Sequence, residues 1–191
     1  LSNVHPFFWS MKNKSMKWVI FTGTWRLTNK EVENDVRTAV RKVLARGDGI
    51  VTGGATGVDY FAMSEALLID PSISRLKVII PTNLTNYILD YRKNWNKFPV
   101  TEESINELER ILKQIKGLRE EHLIEMPPEY DITQEHYDFR HDEEVAISDE
   151  VCVFQVNNST GTQDTINKAQ AAGLKIALHK KYNIKEQELG M

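Results

Sequence analysis

Three times in this chain a short apolar run breaks into a turn of small polar residues and then restarts with helix-forming residues. The runs are Lys17–Thr22, Ile50–Thr52 and Glu150–Val156. The turns are Gly23-Thr24, Thr52-Gly53-Gly54-Ala55-Thr56-Gly57 and Asn157-Asn158-Ser159-Thr160-Gly161-Thr162. Strands that are apolar throughout, rather than alternating, are buried on both faces, and strands joined through helices run parallel. Two further apolar runs, Leu76–Ile80 and Leu174–Leu178, continue the rhythm. The pattern predicts an α/β fold, a mostly parallel sheet of about five to seven strands flanked by helices.

The intervening helices have their own signals. Thr28 and Glu31 form a T-x-x-E capping box, followed by Val32, Val36, Val40, Val43 and Leu44 at helical spacing and Gly47 as a stop. Val58–Leu68 reads as a helix closed by Asp70-Pro71, and Gln163–Ala172 as one closed by Gly173. After Pro81 the alternation breaks. Residues 83–97 and 101–123 read as helices, the second from the stripe Ile105, Leu108, Ile111, Leu112, Ile115, and Met126-Pro127-Pro128 interrupts the chain. The expectation is a helical insertion at about 82–142 between strands three and four, capping the ligand edge or a subunit interface.

The 191 residues suit one domain at 16–191, preceded by residues 1–15 as an extension or cloning remnant that lacks signal-peptide character. No apolar run approaches the ~20 residues that span a bilayer. A lone cysteine, Cys152 in an apolar run, fits a reducing, cytoplasmic setting. Residues 101–150 hold 16 acidic and 5 basic residues, a net of −11, against 19 basic and 11 acidic elsewhere, a net of +8. That acidic segment argues against nucleic acid as the partner, while the basic remainder leaves room for a small anionic ligand.

In an open α/β sheet the strand ends named above share one edge, where ligands bind. Helix N-termini there carry unpaired N–H groups and partial positive charge. Glycines admit an anion to the backbone and hydroxyls add donors. The ligand-binding candidates are therefore Gly23, Thr24, Arg26, Gly53, Gly54, Ala55, Thr56, Gly57, Asp59, Arg140, Ser159, Thr160, Gly161 and Thr162. Arg26 and Arg140 would pair phosphate oxygens, and Asp59 is either a helix-start charge or an acceptor for ribose or base. Tight strand-to-helix packing explains Gly54 or Gly57 equally well, but not the three hydroxyls of 159–162. His136 and His141, near Asp138 and Asp142, show no metal-ligand spacing and read as a solvated loop, so no metal is expected. Trp95, Tyr87 and Tyr91 read as packing residues, with base stacking as the alternative.

Thr52-Gly-Gly-Ala-Thr-Gly-Val-Asp59 resembles the [ST]-G-G-A-x-G-[IV]-D motif of the SLOG superfamily, in the branch that includes the DNA-processing proteins. Gly23-Thr-Trp-Arg26 is similar to its G-S-R turn with one residue added. Tyr137-Asp-Phe-Arg140 with the strand after it, and Ser159-Thr-Gly-Thr-Gln-Asp-Thr-Ile166, resemble its remaining motifs. The resemblance implies a modified Rossmann sheet, a nucleotide-like ligand whose identity is unknown, and homodimers. Where the related cytokinin-activating phosphoribohydrolases carry a catalytic glutamate, this chain has Thr165. The leading expectation is a carrier, sensor or regulatory protein that binds a nucleotide or nucleotide-derived phosphorylated ligand, with no catalytic residue assigned. An enzyme cleaving an N-glycosidic or phosphate bond is the alternative, and a single-stranded DNA binder the second alternative.

Overall fold

The computed structural model describes residues 15–185. The proposed N-terminal extension, but for its last residue, and the last six residues of the chain lie outside the described part. Six strands form one sheet in the order β4-β3-β2-β1-β5-β6, and every neighbouring pair is parallel. The strands are β1 (Trp18–Gly23), β2 (Gly49–Thr52), β3 (Leu76–Ile80), β4 (Leu123–Glu125), β5 (Glu150–Val156) and β6 (Lys175–Tyr182). The chain starts at the centre, adds strands outward through β4, then returns to the other side of β1 for β5 and β6. The order reverses between β1 and β5, which is the switch point where such sheets open a crevice.

Helices α1 (Lys30–Ala45), α2 (Val58–Ile69), α3 (Leu84–Asp90) and α4 (Glu102–Leu118) pack on one face, while α5 (Gln134–Ala146) and α6 (Thr160–Ala171) cover the other. Strand pleating explains the division. Val19, Phe21, Cys152, Phe154 and Val156 face the first group, and Ile20, Val151 and Val153 face the second. All seven residues of β5 are buried, as a central parallel strand requires.

Two sequence expectations are corrected. The α1 cap is Asn29, whose side chain accepts the Val32 N–H at 3.0 Å, rather than Thr28. Asparagine is at least as good a cap, and this start keeps Val32, Val36 and Val40 on the buried face. The second correction concerns the insertion, which is not purely helical. The helix read as reaching 123 stops at Leu118. Arg119 then turns extended at φ −149°, and Leu123–Glu125 form the edge strand β4 against β3. Three residues are too few to show a strand period, so the preceding helical stripe masks them. Between α3 and α4 the chain makes a π-helical turn, Tyr91–Trp95.

Candidate ligand cavity at the sheet switch point

A cavity of about 450 Å³ opens at the carboxyl ends of β1, β2 and β5. Three turns predicted to converge there do so, but in different ways. The β2–α2 loop spends three of its amides internally. The Gly54 N–H donates to Thr52 Oγ1 (3.3 Å), the Ala55 N–H to Asp59 Oδ2 (3.2 Å), and the Thr56 N–H to the Tyr91 hydroxyl (3.3 Å). Asp59, buried at the first turn of α2, thus occupies the place an external anion would take. Burial pushes its carboxyl up to about 6, against the lowering pull of Arg140 and of the Ala55 and Gly53 amides.

Gly54, Thr56 and Gly57, expected as ligand contacts, do not line the cavity. Gly54 has φ +66°, and a Cβ there would meet Ile80 Cγ2 at 2.7 Å and Val78 Cγ1 at 2.8 Å. Gly57 has φ +71° and lies against the Thr24 carbonyl and the Trp25 backbone. Both are glycine because the loop must turn left-handed beneath packed neighbours. The Thr56 hydroxyl donates to the Trp25 carbonyl at 2.6 Å and so ties two loops together.

The β5–α6 loop is the opposite case. Ser159 is the N-cap of α6 but makes no side-chain cap, its hydroxyl donating instead to Thr162 Oγ1 at 2.5 Å. First-turn amides have no partner within their own helix, and Thr160, Gly161 and Thr162, which carry them here, line the cavity. A Cβ on Gly161 would meet nothing within 4 Å. Asn157 and Asn158 bring the chain in with φ of 48° and 53°. Asn157 is locked to Ile184 by two hydrogen bonds of 2.7 and 3.0 Å. Helix dipole and open amides together give this turn the positive potential that suits an anion. Arg26, exposed at the mouth with its guanidinium 5.4 Å from the Trp25 ring centre, supplies a cation there.

Much of the cavity's inner lining comes from α3 to α5; the sequence offered Tyr87, Tyr91, Trp95 and Arg140 for it, but not Tyr137, His141 or Glu144. Tyr87 on α3, Tyr91 and Trp95 on the π-helical turn, and Tyr137 on α5 join Trp25 in an aromatic wall. Trp25 packs edge-on to Trp95 at 5.0 Å. Inserting one residue into the helical turn re-aims side chains, and such π turns recur at functional sites. The near-helical spacing of Tyr87, Tyr91 and Trp95 was visible in the sequence, but not the direction they face.

Beneath the wall sits a buried ionic cluster. Arg140 donates through Nη1 to the Gly53 carbonyl (2.9 Å), meets His141 Nε2 at 2.7 Å, and sets Nε 3.3 Å from Glu144 Oε1. Gly53 is glycine because a Cβ would strike that guanidinium at 2.5 Å. Arg140 therefore holds the floor together and is not the free phosphate counter-charge expected of it. Burial pushes Glu144 up to about 7, with Asp59 adding to the rise and Arg140 opposing it. Three polar atoms of this floor, Tyr87 Oη, Arg140 Nε and Glu144 Oε1, are buried without a hydrogen-bond partner. Each such group costs ~1–3 kcal/mol when unsatisfied.

His141 is not in a solvated loop as the sequence suggested, but buried on α5. Desolvation, then the Arg140 and Lys168 charges, hold its pKa down to about 2, so the ring is neutral. Arginine can only donate, so Nε2 is the acceptor and the proton resides on Nδ1, facing Asp164 Oδ2 at 3.4 Å. Asp138, His141 and Asp164 offer ligand atoms within 4.8 Å of one another. That tautomer leaves His141 no lone pair for a cation, and Lys168 Nζ already lies 3.6 Å from Asp164 and 2.9 Å from Asp142. The donor set does not fit a metal. His136 instead caps α5, accepting the Thr133 N–H at 3.0 Å.

Of the candidates, Gly23, Thr24, Arg26, Gly53, Ala55, Asp59, Arg140, Ser159, Thr160, Gly161 and Thr162 line the cavity. Thr165, at the position of the phosphoribohydrolase glutamate, is fully buried and donates to the Gly161 carbonyl at 3.3 Å.

No protein-family model and no curated protein matches the sequence. Among solved structures, the fold is similar to that of DNA processing protein A from Helicobacter pylori, described for its single-stranded DNA binding mode. The identity is 20% and the TM-score 0.58, over 88% of this chain and 65% of that one, so this chain spans just under two thirds of that neighbour. DNA processing protein A from Streptococcus pneumoniae (16% identity, TM-score 0.46, 86% of this chain and 59% of that one) is also similar. So is the structural-genomics protein TM1055 (15%, 0.47, 83% and 71%). The Helicobacter likeness shows a common fold. Fold and cavity define the class as a Rossmann-like α/β protein with a ligand-sized cavity at its switch point. No helix among the described residues is long and apolar enough to cross a membrane.

Proposed function

We propose that this protein, as a SLOG-type protein, binds a nucleotide or nucleotide-derived phosphorylated ligand, acting as a carrier, sensor or regulatory subunit. The observation that carries the reading is the uncapped first turn of α6, with open space at Gly161, facing a cavity walled by Trp25, Trp95 and tyrosines. The phosphate sits on the Thr160–Thr162 amides with Arg26 as counter-charge, and the aromatic wall takes the base. Calorimetric titration of mononucleotides and dinucleotides against wild type and Gly161→Val tests this. The valine enters open space, so the domain folds, and it screens the amides. Loss of two charge-assisted hydrogen bonds, each worth ~1.5–3 kcal/mol, predicts a fall in affinity of roughly a hundredfold or more. Equal binding by both proteins would refute the assignment.

A second reading is favoured by one feature, a buried carboxyl with a pKa of about 7 on the cavity floor, Glu144. Such a group is poised for general acid–base work at neutral pH, and N-glycosidic cleavage of the bound nucleotide is the matching reaction. Chromatography of the titration mixtures for released free base decides it. Intact nucleotide after prolonged incubation with stoichiometric protein leaves the binding reading alone.

A further inference from the structure

Among the described residues five buried side-chain atoms lack a hydrogen-bond partner, and three of them, Tyr87 Oη, Arg140 Nε and Glu144 Oε1, line the same cavity. Folded proteins satisfy nearly all buried polar atoms, so such a concentration needs an explanation. Tyr87 is fully buried and packs edge-on to Tyr91 at 5.2 Å, its hydroxyl beside that neighbour's but without a well-aligned hydrogen bond to it. Arg140 Nε and Glu144 Oε1 are in ion-pair contact at 3.3 Å without hydrogen-bond alignment. The floor therefore offers a donor, an acceptor, and a hydroxyl that is both.

We infer that this floor is a second, polar subsite which holds the vicinal hydroxyls of a ribose, so that the ligand is a ribonucleotide rather than a deoxyribonucleotide. The inference rests on the nucleotide reading above and narrows it. Each sugar hydroxyl donates one hydrogen bond and accepts others, which matches a floor that mixes both kinds of group. A phosphate does not fit there: it has acceptors only and would confront the Glu144 and Asp59 carboxyls. Its place is the α6 turn. The aromatic faces suit the base, which leaves the sugar for the polar floor.

Calorimetry with four pairs of 5′-monophosphates, each pair sharing a base and differing only at the 2′ position, tests this. Ribonucleotides are expected to bind about tenfold more tightly than their 2′-deoxy partners for every base, the worth of one well-made hydrogen bond to a charged group. Tyr87→Phe and Glu144→Gln should each shrink that ratio severalfold. Tyr87→Phe should keep or raise the melting temperature, because the hydroxyl makes no well-aligned hydrogen bond in the unliganded protein. If that variant fails to fold, Glu144→Gln carries the test. Equal affinity within each pair overturns the inference while leaving nucleotide binding standing. A base preference indifferent to the sugar assigns the floor to the base and also overturns it. If none of the eight binds folded wild type, the nucleotide reading falls and this one with it.

Discussion

The β2–α2 and β5–α6 loops look alike in sequence, both glycine- and threonine-rich, both between a buried strand and a helix. In the first, Thr52, Asp59 and Tyr91 consume three of the amides. In the second the cap hydroxyl turns aside to Thr162 and the helix start stays open. A glycine-rich turn thus states that the backbone is accessible to something, not that the something is a ligand. The deciding residue is the carboxylate that follows. Asp59 reaches back onto its own loop, while the β5–α6 turn has no acidic residue before Asp164.

Substituting the same side chain in both loops gives the sharpest contrast. Gly54→Val forces a β-branched residue to φ +66° against Ile80 and Val78. Backbone strain and overpacking each cost ~1–3 kcal/mol, so urea denaturation should show roughly 2–6 kcal/mol of lost stability or no folded protein. Gly161→Val should fall within ~0.5 kcal/mol of wild type, the usual range for a surface change, while losing its ligand. A stable Gly54→Val protein that binds nucleotides poorly would reverse the roles assigned to the two loops.

A smaller effect tests Asp59 as the internal anion. Its folded pKa, about 6, lies above its unfolded value, so its contribution is fully present below pH ~4 and is lost as pH rises through 6. Asp59→Asn keeps the shape and cannot ionise. The stability of the variant relative to wild type should therefore improve between pH 5 and pH 8, by up to about 2 kcal/mol for shifts of this size. Measuring the difference between the two proteins cancels the opposite pH dependence of neutral His141. The easing of Glu144's raised pKa once the Asp59 charge is gone acts in the same direction as the expected change. A flat difference would mean that Asp59 is not desolvated in the loop.

The central architecture was legible because it is written in continuous apolar runs. Leu76–Ile80 and Val58 onward read directly, since burial on both faces leaves no ambiguity of face. What failed is short or long-range. Three-residue β4 carries no period, and the floor depends on side chains from α3, a π-helical turn and α5 meeting across the sheet edge. Arg140 and Glu144 stand at helical spacing, but nothing local says that they are buried or that Gly53 makes room for them. His141 was judged from its acidic neighbours in sequence, whereas its environment is set by Arg140 and Lys168.

The unequal strands at the two rims of the sheet bear on how copies of the chain could assemble. β4 exposes only three residues' worth of ladder, too little to template a further strand. β6 is eight residues long, but Lys175, Lys180 and Lys181 stand exposed along it. A second copy docking edge to edge would set those lysines against their own kind. Both rims are thereby blunted against end-on growth into extended sheets. A homodimer of the kind the resemblance implies would be built through helical surfaces, and its stability would then be sensitive to substitutions on helices rather than on strands.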